Sequence, residues 1–313
     1  MRNVCGIIVA YNPLPALIGE IKQLKEQACE VVVVDNGTYA SWPVALKEAV
    51  KTSGLTLLQN PDNLGVATAF NQGFRYALEK GYSWAATFDQ DSTPPTHFIS
   101  GLFAALESCP LGDKVAVVAP RYWLKDTPTP TPATSTAPAW KTVPVAMASG
   151  NLVRLEAAES VGMMDETFFI DYVDFDFCLR LKQKGWQIIQ AANVWLPHHL
   201  GSRQKHRCLG ISFSLVSHSP LRRYYNTRNR WITYRRHATR FPGWFFHDLI
   251  WWGLEVMKIL FFEKQKSAKF RAMARGLEDA RRGRMGPAPA SLIARLQTMP
   301  NSKNDAAGSL SHG

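Results

Sequence analysis

The chain has 313 residues, 46% hydrophobic and 19% charged, which excludes a disordered chain and supplies enough apolar material for a sizeable core. Its net charge of +11 is segregated: residues 1–199 carry 15 Lys and Arg against 19 Asp and Glu, whereas residues 200–313 carry 21 against 6. A mildly acidic part followed by a strongly basic one points to an anionic partner for the basic part. The five cysteines, Cys5, Cys29, Cys109, Cys178 and Cys208, are scattered and form no CxxC pair. A zinc ribbon and a disulfide framework are therefore not indicated, and a reducing cytosol fits.

The opening MRNVCGIIVAYNP holds an apolar run too short for a secretory leader; it reads as a first strand, VCGIIVAY (4–11), stopped by Asn12-Pro13. A helix follows to about Ala28, then the strand EVVVVDNG (30–37), the strand LTLLQN (55–60) and a helix over 66–80. WAATFDQD (84–91) is a strand ending in two carboxylates, followed by a helix over 97–107 and a strand over 115–119. Strands alternating with helices predict an α/β fold with a doubly wound, mostly parallel sheet, whose ligands bind outside the carboxyl ends of the strands. Residues 126–142, rich in Pro and Thr, predict a mobile loop. Strand-like VPVAMAS (143–149), helices over 154–161 and 174–184 and a strand over 186–191 complete a domain ending near residue 240. The composition of 286–313 predicts a disordered tail.

Strand ends hold the candidate chemistry. Asp89 and Asp91 alternate around Gln90, so both carboxylates point the same way from one strand end and suit Mg²⁺ or Mn²⁺ bound together with a diphosphate. By itself an Asp-x-Asp is more often a solvated turn. Asp35 is either a contact to a nucleoside or the organising carboxylate of an Asp-Asn-Gly turn. Asn63-Leu64-Gly65 precedes a helix, where backbone N–H groups meet phosphate or base, or Asn63 is an ordinary cap. In the cluster Asp171, Asp174 and Asp176, helix-start electrostatics favours acids whatever their use, and one of them is a candidate general base. His198 or its neighbour His199 is a candidate ligand beside the carboxylates, against the common alternative of a surface histidine.

In order, IIVAYN (7–12), VVVVDNG (31–37), NPDNLGVATAFNQG (60–73), FDQDS (88–92), SGNLVRLEAAESVGMMDETFFIDYVDFDFCLRL (149–181) and HHLG (198–201) resemble the inverting glycosyltransferases of the GT-A fold. The branch they look like is the bacterial rhamnosyltransferases of cell-surface polysaccharide synthesis, and SPLRRYYNTRNRWI (219–232) is similar to the basic segment after that branch's catalytic domain. The resemblance implies that Tyr11, Asp35 and Asn63 border a nucleotide-sugar pocket with Asp89. It implies that Asp89 and Asp91 hold Mg²⁺ or Mn²⁺ with help from His198, and that Asp174 is the general base. The sequence departs from the family at Val173, where many members carry Glu. dTDP-L-rhamnose is the donor the resemblance favours; another hexose donor is the nearest alternative, and a non-catalytic nucleotide- or membrane-binding protein the alternative of a different class. A saccharide acceptor on a polyprenyl carrier, at the inner face of the cytoplasmic membrane, completes the expectation.

GWFFHDLIWWGLEVMKILFF (243–262) is apolar but broken by His247, Asp248, Glu255 and Lys258. It therefore predicts an amphipathic helix lying in a membrane surface and not a spanning one, followed by a basic stretch to about residue 285. Packing against the catalytic domain or a homo-oligomer partner, with a solvated basic tail, is the other use of such a helix. A nucleotidyltransferase or dinucleotide-dependent dehydrogenase is disfavoured because AYNPLPAL, and no Gly-rich loop, follows the first strand. Nucleic acid is disfavoured because the first part is acidic and no recognition motif is present.

Overall fold

The computed structural model describes residues 3–124, 139–198, 203–208 and 211–297. The chain divides into two compact units, residues 1–169 with 173–199, and residues 170–172 with 200–313.

The first unit is built on an eight-stranded sheet of order β3-β2-β1-β4-β7-β5-β8-β6. Its strands are β1 (Val4–Ala10), β2 (Glu30–Asp35), β3 (Thr56–Gln59), β4 (Trp84–Asp89), β5 (Val115–Leu124), β6 (Trp140–Thr142), β7 (Asn151–Arg154) and β8 (Gln187–His198). Parallel pairing joins β3, β2, β1 and β4, and also β5 to β8; β7 is antiparallel to both β4 and β5, and β6 is antiparallel to β8. All seven residues of β1 are buried, as an unbroken apolar run requires when helices cover both faces of a sheet. On one face Ile8, Val31 and Val33 join Leu17 and Leu24 of α1 (Leu17–Lys25) and Leu102 of α4 (Phe98–Glu107) in one core. On the other, α3 (Val66–Glu79) comes so close that a Cβ on its Gly73 would stand 2.4 Å from the Ile7 side chain. The remaining helices of this unit are α2 (Val44–Thr52), α5 (Leu155–Ser160) and α6 (Val173–Gln183).

Register carries the acids to one rim. Ala10 pairs with Asp35 across β1 and β2, and Val9 pairs with Asp89 across β1 and β4, so both aspartates close parallel strands at the same end. The structure corrects the expectation of a strand over 143–149. That stretch is irregular, and the strand begins only at Asn151.

The second unit contains the antiparallel hairpin β9 (Arg203–Cys208) and β10 (Ile211–Val216), then α7 (Pro220–His237), α8 (Pro242–Phe262), α9 (Lys266–Arg281) and α10 (Ala290–Gln297). The start of α7 is fixed by Ser219, whose hydroxyl accepts from the Arg222 N–H at 3.2 Å, and by Pro220 in its first turn, both favoured at helix starts. Helix α10 lies inside the stretch 286–313 expected to be a structureless tail; that expectation is corrected for 290–297. The Pro- and Thr-rich stretch expected to be mobile lies, over 125–138, outside the described residues, and Trp140–Thr142 at its end is strand. Among the described residues no helix is long and apolar enough to cross a membrane.

Candidate active site

Three loops meet at the rim through side chains from neighbouring strand ends. The Gln90 side chain clasps Tyr11: its Oε1 accepts from the Tyr11 N–H at 2.7 Å and its Nε2 donates to the Tyr11 carbonyl at 2.9 Å. The Asn12 N–H donates to Thr38 Oγ1 at 2.9 Å. Loops after β1, β2 and β4 are thereby tied, and Tyr11 is left 45% exposed. An exposed ring on a fixed backbone is suited to stacking on a flat base.

Asp35 is fully buried and its oxygens accept from the Thr38 N–H at 3.1 Å, Thr38 Oγ1 at 2.9 Å, the Tyr39 N–H at 2.9 Å and Trp42 Nε1 at 3.0 Å. It shapes the loop after β2 and presents no free carboxylate; of the two uses open in the sequence, the turn is the one the geometry displays. Asn63 behaves similarly. Its Oδ1 accepts from Asn36 Nδ2 at 2.9 Å and from the Gly65 N–H at 3.0 Å, while Asn36 Oδ1 accepts from the Leu64 N–H at 3.0 Å. Gly65 has φ +91°, and a Cβ there would meet the Phe169 carbonyl oxygen at 2.7 Å. Only glycine fits this approach to α3.

The irregular stretch before β7 organises the acids. The Asp89 N–H donates to Ser149 Oγ at 3.0 Å, and Ser149 Oγ bonds Ser92 Oγ at 2.8 Å. One residue earlier, the Ala148 N–H donates to Asp174 Oδ2 at 3.1 Å, and Asp174 Oδ1 accepts from the Phe175 N–H at 2.9 Å. Adjacent residues thus hold the end of β4 and the first turn of α6 together. Tyr122 of β5 lies beneath them, its hydroxyl donating to the Ser149 carbonyl at 2.8 Å and facing the Met147 carbonyl at 3.2 Å. Burial, and then the charges of Asp174 and Asp89, push the Tyr122 phenol well above its ordinary range. It stays protonated and can serve as a donor and not as a base. The same effect places both carboxylates in one electrostatic neighbourhood.

The remaining acids have other occupations. Asp176 is fully buried and paired with Arg180 at 2.7 Å, and Asp171 pairs with Arg222 at 2.7 Å. Asp174 is partly exposed and is held by the Ala148 and Phe175 N–H groups at a helix start, a position that favours an anion. Asp91 is exposed and, among the described residues, has no hydrogen-bond or ion-pair partner. His198 ends β8, but its side chain and all of His199 lie outside the described residues.

Among the described residues no three His, Cys, Asp or Glu side chains converge as a ready-made cation site. One or two carboxylates complete the shell of Mg²⁺ or Mn²⁺ when phosphate oxygens and water supply the rest. Gln90, Ser149 and Tyr122 carried no signal as site residues in the sequence. Gln90 was flanked by the two acids, Ser149 stood in an apparent strand and Tyr122 in an unmarked one.

A mostly parallel sheet with acids at the carboxyl ends of its strands and a further acid at a helix start is the frame that the resemblance to GT-A glycosyltransferases leads one to expect. Residues 5–151 match the model of the family described as glycosyl transferase family 2. The chain is 36% identical over 257 residues to the dTDP-rhamnosyl transferase RfbF of Shigella flexneri, spanning 75% of this chain and 80% of that one. The chain belongs to glycosyl transferase family 2. Among solved structures it is similar to the mannosyltransferase PcManGT from Pyrobaculum calidifontis in complex with GDP-Man and Mn²⁺, with TM-score 0.54 and 18% identity, covering 95% of this chain and 79% of that one. It is also similar to GalNAc-T7 with UDP, GalNAc and Mn²⁺, with TM-score 0.56 and 14% identity over 78% of this chain, which spans half the length of that structure. Likeness at these identities concerns the fold.

Proposed function

We propose that this glycosyltransferase moves L-rhamnose from dTDP-L-rhamnose onto a saccharide acceptor, carried on a polyprenyl lipid, with inversion at the anomeric carbon. The sugar is supported by the relative named a dTDP-rhamnosyl transferase, which the chain matches over most of its length. The chemistry rests chiefly on one observation: Ala148 and Ser149 hold Asp174 and the end of β4 side by side, above the hydroxyl of Tyr122.

Tyr11 stacks on the base, and the loop shaped by Asp35, with Asn63 behind it, fixes the nucleoside. Asp89 and Asp91 would hold Mg²⁺ or Mn²⁺, with His198 as the further candidate ligand. The ion supplies Lewis-acid neutralisation of charge on the departing diphosphate. Asp174 takes the proton from the acceptor hydroxyl as its oxygen bonds to the anomeric carbon and the bond to the diphosphate breaks. Tyr122, whose hydroxyl bonds the Ser149 carbonyl, keeps the 147–149 turn in place while this happens.

Nucleotide release from a panel of nucleotide sugars, with a saccharide acceptor and with Mn²⁺, Mg²⁺ or chelator, tests the reading. The expected result is fastest release from dTDP-L-rhamnose, abolished by chelator. Preference for a different sugar would replace the donor and keep the class. Absence of ion-dependent release from every donor would remove the transfer reading.

A further inference from the structure

Helix α8 is built inside out for a helix at a protein surface. Phe246, Ile250, Leu254, Met257 and Phe261 recur at steps of three and four, and their exposures run from 49% to 65%. At roughly 1.5 Å per residue they form one apolar ridge about 22 Å long. The charged residues of the same helix face inward. Asp248 pairs with Arg230 at 3.1 Å, Glu255 with Arg223 at 3.0 Å and Arg230 at 3.2 Å, and Lys258 with Glu263 at 3.4 Å. His247, the polar side chain on the outer side, accepts from Trp251 Nε1 at 3.1 Å. A water-facing helix has the reverse pattern, and an exposed apolar strip of this size marks a contact surface.

Charge selects the occupant. Arg240 stands just before the helix, Lys264 and Lys266 just after it and Arg271 in α9; all four are exposed and have no acidic partner among the described residues. A second copy docked ridge to ridge would bring like-charged collars together, which disfavours that contact. The longer stretches outside the described residues, KDTPTPTPATSTAP (125–138) and TMPNSKNDAAGSLSHG (298–313), contain no aromatic residue and no apolar run to lay on the ridge. An anionic lipid surface satisfies both features, taking the ridge into its acyl boundary and the collar among its headgroups.

We infer that α8 lies in the plane of an anionic bilayer, with the Phe246–Phe261 ridge inserted and its inward acids serving only to hold the helix to its own unit. The inference stands on the helical unit alone and needs neither donor nor acceptor, so it can fail without touching the transfer reading. The test is sedimentation of the full chain with vesicles of phosphatidylglycerol and phosphatidylcholine, against vesicles of phosphatidylcholine only. Wild type is expected to sediment with the first and far less with the second. Leu254→Glu and Ile250→Glu, on exposed positions, are expected to lower the partition by roughly ten-fold or more with unchanged circular dichroism. Lys264→Glu combined with Lys266→Glu should weaken binding to the anionic vesicles only. Equal partition of wild type and Leu254→Glu would overturn the inference. So would a wild type that stays in solution as a dimer and becomes monomeric on Leu254→Glu.

Discussion

The helical unit and the rim of the sheet hold carboxylates differently, although away from the rim the sheet unit also pairs Asp176 with Arg180 and Glu166 with Arg75. In the helical unit acids are neutralised by cations: Asp171 by Arg222, Asp248 by Arg230, Glu255 by Arg223 and Arg230, Glu263 by Arg223 and Lys269. At the rim of the sheet, Asp35 and Asp174 are held by backbone and side-chain N–H and O–H groups, and Asp91 by none described. A carboxylate fixed by an arginine is a brace, because its charge is already spent. One held by N–H groups at a partly exposed position, as Asp174 is, can still accept a proton or meet a cation. Pairing Asp248, Glu255 and Glu263 with cations of its own leaves Arg240, Lys264, Lys266 and Arg271 of the helical unit exposed.

The largest test of this contrast lies at Asp174. Asp174→Asn keeps the shape and an oxygen for the Ala148 N–H, and removes the base. Turnover is expected to fall by ~10²–10⁴-fold, with donor affinity by calorimetry near that of wild type. Near-normal turnover would make Asp174 a brace as well. The counterpart in the helical unit is Asp248→Ala. Asp248 accepts from Tyr172 Oη at 2.8 Å, Tyr234 Oη at 2.6 Å and Arg230 Nε at 3.1 Å. Its loss leaves the buried Arg230 guanidinium with only Glu255 of its two acids and takes an acceptor from two phenols, at an expected cost of about 3–5 kcal/mol in urea unfolding. A loss below ~1 kcal/mol would show that this pair behaves like an exposed one.

What could be read in advance follows the same divide. Buried parallel strands announce themselves as apolar runs, so VCGIIVA and EVVVVD were legible, and with them the rim where Asp35 and Asp89 sit. The stretch 143–149 was not, because VPVAMAS alternates like a strand while its conformation is set by distant partners: Thr87, whose Oγ1 donates to the Ala148 carbonyl at 2.5 Å, Tyr122 and Asp174. Helix α7 misleads for a related reason. RRYYNTRNRWITYRRH is rich in basic residues, yet Arg223, Arg228 and Arg230 are buried. Acids that make this possible, such as Asp248, Glu255 and Glu263, lie 18 to 40 residues further along the chain, beyond the reach of any periodicity.

Asp91→Ala sharpens the rim side of the contrast. With no other described task for its carboxylate, the substitution should leave thermal stability within experimental error. The expected change is a loss of Mn²⁺-dependent donor affinity on the order of ten-fold or more. Donor titration in Mn²⁺ and in chelator measures it. An affinity that does not change with the ion in wild type, or is unaltered in the variant, would count against Asp91 as a ligand.

The smallest expected effect is in the acid range and belongs to the braces. Burial alone would raise the Glu255 carboxyl, but Arg230 and Arg223 more than offset it and hold its pKa below 4.5. Glu263 is likewise lowered, with burial opposed by its bond to Lys269 and the charges of Arg223, Lys269 and Lys258. Groups whose pKa is lower folded than unfolded contribute their full stabilisation above the unfolded value and lose it as pH falls through the folded one. Urea midpoints followed by circular dichroism should therefore be level through neutral pH and decline below about pH 4.5. Glu263→Gln should be less stable at neutral pH, since Arg223 and Lys269 lose a buried partner, and should show a shallower acid decline. If its decline matches wild type, the acid lability arises elsewhere. Glu30 is the first candidate: burial tends to raise its carboxyl, and hydrogen bonds from Tyr76, Thr56 and Tyr82 lower it on balance. In that case acid sensitivity would report the sheet unit instead, and Glu30→Gln would flatten the curve where Glu263→Gln did not.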